Sequence, residues 1–209
     1  MSRFFADFYF TLLKEGFLTL RLLMTKIPAH AKCVFKGEIY DIYQWPQQLF
    51  DGSMATFECA RRPDTVVVLA VMEDGRICYA AQQQPHKPPY LSLLGGRAEP
   101  GEAPLEAAQR ELLEESGLAS DNWLHLKTYN DFPKLDWNVH YFLARQCRQI
   151  AQQQLDAGEK VELRYCTVDE FIHEVLPNPE FREYEIKQQI YSAFNAERAA
   201  ELTALLLAV

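Results

Sequence analysis

Three glutamates, Glu111, Glu114 and Glu115, lie close together in the stretch of this sequence with the strongest chemical pattern. On a helix these positions are i, i+3 and i+4, so the three carboxylates share one face and one turn. Like charges at that spacing repel each other, whereas a hard divalent cation such as Mg²⁺ or Mn²⁺ prefers several oxygen ligands. The cluster therefore predicts a metal site. The alternative is a solvated acidic face, which is the commoner origin of Glu-rich helices.

The residues before this cluster fit a loop that supports it. Gly95 and Gly96 end a predicted strand, allow a tight backbone turn and leave carbonyl oxygens for the same cation. Arg110 is placed to pair with Glu102 or Glu114, which fixes those side chains and compensates part of their charge. This position, directly after a strand and a glycine loop, favours a metal site over a solvated face.

The spacing of these residues resembles a known motif at every fixed position. Gly96, five residues, Glu102, seven residues and then Arg-Glu-Leu-x-Glu-Glu-x-Gly-Leu at 110–118 resemble the Nudix box. The resemblance implies a Nudix fold, with a mixed sheet between helices and the box forming a loop–helix–loop. It also implies hydrolysis of a nucleoside diphosphate linked to another moiety, with Mg²⁺ or Mn²⁺ as cofactor.

The resemblance also implies roles for single residues. The expected metal ligands are Gly95, through its carbonyl oxygen, and Glu111, Glu114 and Glu115. The carboxylate of Glu115 is expected to be essential for catalysis. The residues expected to support the site structurally are Gly96, Glu102 and Arg110.

Around the box, the chain looks most like the ADP-ribose pyrophosphatase branch of that family. Residues 34–45 and 50–75 resemble the N-terminal strands of this branch, which often exchange between the subunits of a homodimer. Pro133, sixteen residues beyond Gly117, occupies the position at which these enzymes carry a substrate-binding proline. Two segments depart from the branch: 82–85 reads Gln-Gln-Gln-Pro instead of Arg-Gln-x-Arg, and 92–96 lacks the acidic residue of Glu-Leu-Pro-Ala-Gly.

A general base is expected on a loop after the later strands. The stretch 157–163 offers Glu159 and Glu162, and Glu159, which follows Gly158 directly, is the preferred candidate. The alternative is that this glutamate is an ordinary solvated loop carboxylate. Only a carboxylate within hydrogen-bond distance of the attacking water can act as the base.

Several aromatic residues after the box have two possible roles. They can stack on a nucleobase, but aromatic residues at alternating strand positions belong more often to the core. These residues are Tyr129, Phe132, Trp137 and Tyr141. His140 is expected to be structural, and the five cysteines show neither a disulfide nor a zinc spacing, which favours a reducing compartment.

Strands with interspersed helices surround the box, so the fold class is α+β, arranged as an α/β/α sandwich. Strands are predicted at 33–35, 38–45, 55–60, 65–71, 77–82, 90–94, 123–129, 139–144 and 161–167. Helices are predicted from Pro104 to a stop at Gly117, with an inward face of Leu105, Ala108 and Leu112, and at 169–174 and 181–197. The predicted organisation is an N-terminal extension (1–26), a Nudix hydrolase domain that includes the N-terminal strands (27–197) and a helical tail (198–209).

The N-terminal extension is predicted to form an amphipathic helix over 3–24 with a narrow polar stripe. Its wide apolar surface is expected to pack on the domain or on a second subunit, with contact to a lipid surface as the less favoured alternative. A further alternative is that Met24 is the true start. Charged residues interrupt the segment, so no membrane span or signal peptide is expected and the predicted location is the cytoplasm.

The composition agrees with a folded, acidic enzyme. The chain has 209 residues, of which 48% are hydrophobic, and 21 Lys+Arg against 29 Asp+Glu give a net charge of −8. This balance argues against a nucleic-acid partner. The alternatives that stay open are a hydrolase of other dinucleotide or coenzyme pyrophosphates or of nucleoside triphosphates, and a Nudix-fold module that senses a nucleotide without cleaving it.

Overall fold

The computed structural model of the protein describes residues 26–155 and 157–193, together with 204, 206 and 207. The predicted helix over 3–24 and most of the predicted tail over 198–209 lie outside the described residues. The described residues divide into two compact units. The first contains 26–63 and 130–138, and the second contains 64–129 and 139–193 together with 204, 206 and 207.

The elements of the described chain are numbered here in chain order. The strands are β1 (Lys32–Lys36), β2 (Asp41–Gln48), β3 (Met54–Arg61), β4 (Thr65–Met72), β5 (Ile77–Gln83), β6 (Tyr90–Ser92), β7 (Leu118–Ala119), β8 (Asn122–Tyr129), β9 (Leu135–Asp136), β10 (Val139–Gln149) and β11 (Lys160–Cys166). The helices are α1 (Pro104–Ser116), α2 (Val168–Glu170), which continues into a π-helical turn (Phe171–Val175), and α3 (Tyr184–Ala193).

The first unit is a four-stranded sheet in the order β1-β2-β3-β9. β1, β2 and β3 are antiparallel, and β9 is parallel to β3. The predicted hairpin turn at Asp51-Gly52 is confirmed: Gly52 has a φ of 85°, and Asp51 Oδ1 accepts from the Ser53 amide at 3.0 Å. β2 begins three residues later than predicted, because the Gly37 amide donates to the Tyr40 carbonyl and closes a turn there.

The second unit is built on a mixed sheet in the order β11-β5-β4-β10-β7, with β6 paired to β5 and β8 paired to β10. β4 and β10 are parallel, whereas the other pairs are antiparallel. Val66–Val71 are all buried, which confirms the prediction of a strand covered on both faces. β10 is longer than predicted and runs past a β-bulge between Ala144 and Cys147. These mixed sheets with few helices confirm the α+β class.

Helix α1 confirms the predicted start and stop. Pro104 is in its first turn, and Gly117 ends it with a φ of 69° while its amide donates to the Leu113 carbonyl at 2.7 Å. The prediction for the inward face was wrong at Leu105, which lies in the first turn and is exposed. The buried face consists of Ala107, Ala108, Leu112, Glu115 and Ser116, and two of these are polar.

The segment that leads into α3 differs from the prediction. A helix was expected from Phe181, but α3 begins at Tyr184. Phe181 forms a parallel bridge with Leu91 instead, because the Leu91 amide donates to the Glu180 carbonyl at 2.9 Å and the Arg182 amide donates to the Leu91 carbonyl at 3.0 Å. Backbone pairing with β6 therefore replaces the first turn of the expected helix. None of the described helices is long and apolar enough to cross a membrane.

Candidate active site

The loop before α1 lies along β4 and is fixed by three backbone hydrogen bonds. The Val68 amide donates to the Leu94 carbonyl at 2.7 Å, the Val66 amide to the Gly96 carbonyl at 2.9 Å, and the Ala98 amide to the Asp64 carbonyl at 2.9 Å. Gly95 has a φ of +138°, and a Cβ there would lie 2.2 Å from the Val66 carbonyl oxygen. Only glycine fits this position, so the loop follows the strand closely.

Gly96 has a different reason to be glycine. A Cβ at this residue would lie 2.6 Å from the carboxyl atoms of Glu111. The absence of a side chain therefore allows the Glu111 carboxylate to lie directly against the loop backbone. This contact joins the first glutamate of the helix cluster, Glu111, to the glycine loop.

Glu115 is 5% exposed and its carboxylate accepts hydrogen bonds from neutral donors. The Gly95 amide donates to Oε2 at 2.7 Å, and the Gln82 side-chain amide donates to Oε1 at 3.3 Å. We call Glu115, Gln82 and Gly95 the Glu115 pocket. Burial raises the pKa of Glu115 to about 8, the Gly95 amide opposes this rise, and the charges of Glu111 and Glu159 add to it.

Glu111, the next carboxylate of the cluster, is half-buried. Burial raises its pKa, Arg110 lowers it, and the charges of Glu114 and Glu159 raise it further. The charge of Glu159 thus acts on both Glu111 and Glu115. A group of acids that raise the pKa of one another favours a cation between them, because the cation reverses the repulsion.

Arg110 organises the other side of the helix. It binds both carboxylate oxygens of Glu102 at 2.9 and 3.0 Å, and its Nη1 binds Glu111 at 3.0 Å and Glu114 at 2.9 Å. We call these four residues the Arg110 network. The predicted pairing of Arg110 is confirmed for Glu102 and Glu114 together. The hydrogen bond from Arg110 lowers the pKa of Glu102, and its carboxylate partners raise the pKa of Arg110.

The two candidates for the general base lie in different surroundings. Glu159 is half-buried in the loop before β11, and its charge raises the pKa of Glu111, Glu115 and Tyr90. Glu162 lies on β11, is exposed, and accepts from the Arg164 guanidinium at 3.4 Å. Glu159 is therefore the residue that shares the electrostatic environment of the box glutamates.

The donor set fits a hard divalent cation in chemistry, because all side-chain donors are carboxylate oxygens. Among the residues that the structure describes, no three His, Cys, Asp or Glu side chains are already arranged as a ready metal cage. The hydrogen bonds explain this arrangement: Arg110 binds Glu111 and Glu114, and Glu115 faces the Gly95 amide.

Three residues near the site, Gln82, Tyr90 and Glu183, were not predicted from the sequence as functional residues. Gln82 is buried, and its amide joins Glu115 to the Tyr90 hydroxyl, which donates to Gln82 Oε1 at 2.8 Å. Glu183 accepts from the Leu93 amide at 3.1 Å, and burial raises its pKa to about 7. Gln82 was visible only as a departure from a family pattern. Glu183 had no signal, because its partner lies 90 residues away.

The other residues singled out from the sequence lie elsewhere. Pro133 is an exposed residue of the first unit, where Phe132 and Trp137 stack with ring centroids 4.4 Å apart. In the second unit, Tyr141 is buried and donates to Glu185 at 3.1 Å, which confirms its assignment to the core. His140 bonds Asp64 at 3.2 Å and Thr128 at 2.9 Å. All five cysteines are free thiols.

Comparison with known proteins identifies the region that contains this site. Residues 61–189, more than half of the chain, match the NUDIX domain. The ADP-ribose pyrophosphatase of Bacillus subtilis (strain 168) is 30% identical over 140 residues, which are 66% of this chain and 76% of that protein. The methanol dehydrogenase activator of Bacillus methanolicus is 27% identical with the same coverage. A solved ADP compounds hydrolase has the same fold, with a TM-score of 0.63 at 18% identity over 80% of this chain and 95% of the other.

Proposed function

This chain belongs to the Nudix family of hydrolases, and on that basis we propose that it cleaves the pyrophosphate bond of ADP-ribose or a similar nucleoside diphosphate sugar. The observation that carries the proposal is the pair of box carboxylates at the glycine loop, with Glu111 against Gly96 and Glu115 bonded to Gly95, on both of which the charge of Glu159 acts. Such a cluster is costly without a cation and suits a reaction in which cations and phosphates meet.

We propose Mg²⁺ or Mn²⁺ as the cofactor, since Nudix ADP-ribose pyrophosphatases generally use divalent metals. Its proposed ligands are the Gly95 carbonyl oxygen, Glu111, Glu114 and Glu115. When bound, the cation supplies positive charge that stabilises the departing phosphate and lowers the pKa of a bound water. Gly96 lets Glu111 approach the loop, while Arg110 and Glu102 hold the helix side chains in place.

Glu159 is the proposed general base. A carboxylate in this position can accept a proton from the water that attacks phosphorus, while Glu115 holds its charge close to the reacting groups. The half-buried position of Glu159 and its electrostatic influence on Glu111 and Glu115 support this role. Glu162 is the alternative, but its carboxylate is exposed and bonded to Arg164.

The substrate class rests on the relatives. One of them is named an ADP-ribose pyrophosphatase, and a protein of the same fold is named an ADP compounds hydrolase. Pro133 is proposed as a substrate contact from its spacing after the box. The segments 82–85 and 92–96 depart from the ADP-ribose branch, so they do not specify the nucleobase or the leaving group of the substrate. Other dinucleotide or coenzyme pyrophosphates and nucleoside triphosphates are therefore the alternative substrates.

A panel of nucleoside diphosphate sugars, dinucleotides and nucleoside triphosphates with Mg²⁺ or Mn²⁺ tests the proposal. We expect ADP-ribose to give AMP and ribose 5-phosphate, resolved by chromatography, with no turnover in EDTA. Release of inorganic pyrophosphate from triphosphates alone would identify a triphosphatase. Tight nucleotide binding without any hydrolysis would identify a sensing module instead.

We also propose that the chain forms a homodimer through its N-terminal strands and that residues 27–197 form the hydrolase domain, between the extension 1–26 and the tail 198–209. All five residues of β1 are exposed, and Val34, Phe35 and Met54 are each more than half exposed. Exposed apolar strands of this kind are typical of a sheet edge covered by another chain. Sedimentation should give twice the chain mass, and Phe35→Lys should shift the protein toward the monomer; a wild-type monomer would contradict the dimer.

A further inference from the structure

We propose that Arg182 binds a phosphate group of the substrate and replaces the arginines that this chain lacks at the end of β5. This inference rests on the proposed function, because it names a binding residue for the same pyrophosphate. The strand end at 82–85 carries Gln-Gln-Gln-Pro, so no cation comes from that segment. A pyrophosphate beside several carboxylates needs cationic partners from the protein as well as from metal ions.

Backbone pairing fixes the position of Arg182 next to β6. Its amide donates to the Leu91 carbonyl at 3.0 Å, and Leu91 in turn donates to Glu180 at 2.9 Å. The guanidinium carbon lies 4.2 Å from the centroid of the Tyr90 ring, within the range of a cation–π contact. The residue therefore has a defined place, although its side chain is exposed.

A short chain of hydrogen bonds connects this place to the Glu115 pocket. Beneath Arg182, the Tyr90 hydroxyl donates to Gln82 at 2.8 Å, and Gln82 donates to Glu115 at 3.3 Å. Burial raises the pKa of Tyr90, Arg182 opposes this rise, and Glu115 and Glu159 add to it. One phenol thus lies within electrostatic reach of Arg182 and of both proposed catalytic carboxylates.

The charge of Arg182 is available to a ligand. Three other arginines are held in ion pairs: Arg110 with three glutamates, Arg164 with Glu162 and Arg76 with Asp74. In the described part of the chain, no ion pair includes Arg182. An exposed guanidinium held over an aromatic ring can direct N–H groups to a phosphate at little cost in conformational entropy.

Arg182→Met tests the proposal, because methionine keeps an apolar side chain over Tyr90 and removes the charge. With ADP-ribose and Mg²⁺ we expect KM to rise about ten- to a hundredfold and kcat to change by less than about threefold. Isothermal titration with the α,β-methylene analogue of ADP-ribose should show the same loss of affinity. The matched control is Arg76→Met, which removes another exposed arginine, 5.2 Å above Tyr165, and should leave KM unchanged.

Arg182→Lys separates charge from packing. Lysine restores the charge without the planar fork, so its KM should lie between those of the wild type and Arg182→Met. An unchanged KM in Arg182→Met would overturn the inference, and so would equal, raised KM values in the Met and Lys variants, which would show that the positive charge at this position does not bind the substrate. A wild-type protein without turnover on any pyrophosphate would overturn the proposed function itself, whereas normal wild-type turnover with an unaffected Arg182→Met overturns only this inference.

Discussion

The carboxylates of helix α1 have different partners in the Arg110 network and in the Glu115 pocket: a cation in the network and neutral amides in the pocket. In the network, one guanidinium binds three glutamates and lowers the pKa of Glu102. In the pocket, the described residues bind the Glu115 carboxylate through one backbone amide and one side-chain amide, and burial raises its pKa to about 8. Residues of the same type, one position apart at Glu114 and Glu115, therefore differ in both exposure and charge compensation.

This difference shows how one helix can hold several neighbouring glutamates and still keep one of them out of its ion pairs. The Arg110 network offsets the repulsion between neighbouring glutamates within the protein. In the Glu115 pocket, no cationic side chain of the described residues forms an ion pair with Glu115, which leaves this carboxylate open to the proposed cation. We therefore expect changes to the Arg110 network to affect stability and changes to the Glu115 pocket to affect activity.

The largest expected effect comes from removing the charge of the pocket. Glu115→Gln keeps the shape and an acceptor for the Gly95 amide, yet kcat should fall about a thousandfold or more because the metal loses a charged ligand. Steady-state kinetics with ADP-ribose and Mg²⁺ measure this. Glu106→Gln removes a charge from the exposed face of the same helix and serves as the control; equal activities in the two variants would contradict the proposed role of Glu115.

The second test compares the two loop glutamates. Glu159→Gln should lower kcat about a hundred- to a thousandfold, because the attacking water loses its proton acceptor. Glu162→Gln should stay within about twofold of the wild type, since that side chain is exposed and bonded to Arg164. The opposite ranking of the two kcat values would assign the base to Glu162.

A smaller effect is expected where the two sides of the helix meet at Glu111. In Gly96→Ala the new Cβ would lie 2.6 Å from the Glu111 carboxyl atoms, so that side chain must move. We expect the apparent affinity for Mn²⁺ to fall about tenfold, measured by electron paramagnetic resonance of the free ion. An unchanged Mn²⁺ affinity would show that the position of Glu111 against the loop is unimportant.

Disruption of the Arg110 network should lower the free energy of unfolding. Arg110→Met leaves the largely buried Glu111 without its cation, and the free energy of unfolding should fall by about 1–3 kcal/mol. Arg148→Met removes the partner of the exposed Asp121 and should cost less than about 1 kcal/mol. Urea denaturation of both variants measures the difference, and equal losses would mean that the Arg110 network is an ordinary surface ion-pair network.

The smallest expected effect is a pH dependence of stability in EDTA. The pKa of Glu115 is raised to about 8 in the folded protein from about 4.5 when unfolded, so the folded state binds the proton more tightly. The stabilisation that comes from this tighter proton binding by Glu115 is complete below about pH 4.5, and it is lost as the pH rises through about 8. Glu183, with a pKa of about 7, acts in the same direction. Between pH 5.5 and 8.5 the wild type should lose about 1 kcal/mol or more relative to Glu115→Gln; parallel curves would contradict this.

The sequence predicted the elements that depend on local patterns. Pro104 and Gly117 bound α1 as expected, and the spacing of Arg110, Glu102 and Glu114 predicted their pairing. The box alone could not distinguish the compensated Glu114 from the uncompensated Glu115, because that difference depends on which side chains the fold places opposite each of them.

Contacts between distant segments explain the other misses. Gln82 lies 33 residues from Glu115, and Glu183 lies 90 residues from Leu93. Helical and strand periodicity relate only residues within one element, so they cannot predict these contacts. The helix expected from Phe181 starts at Tyr184 for the same reason, since pairing with Leu91 outweighs the local helical propensity. The residues around the Glu115 pocket that come from other segments were therefore the least predictable part of the site.

The pairing of β6 with residues 180–182 also has a consequence for the order in which the protein is made. Synthesis proceeds from the N-terminus, so the whole motif at 96–118 is present well before Glu180 and Arg182 are added. Until then, Leu91 lacks two backbone partners and Leu93 lacks the Glu183 carboxylate. A nascent chain can thus contain every glutamate of the motif while β6 and the loop after it still lack their hydrogen-bond partners at Glu180, Arg182 and Glu183.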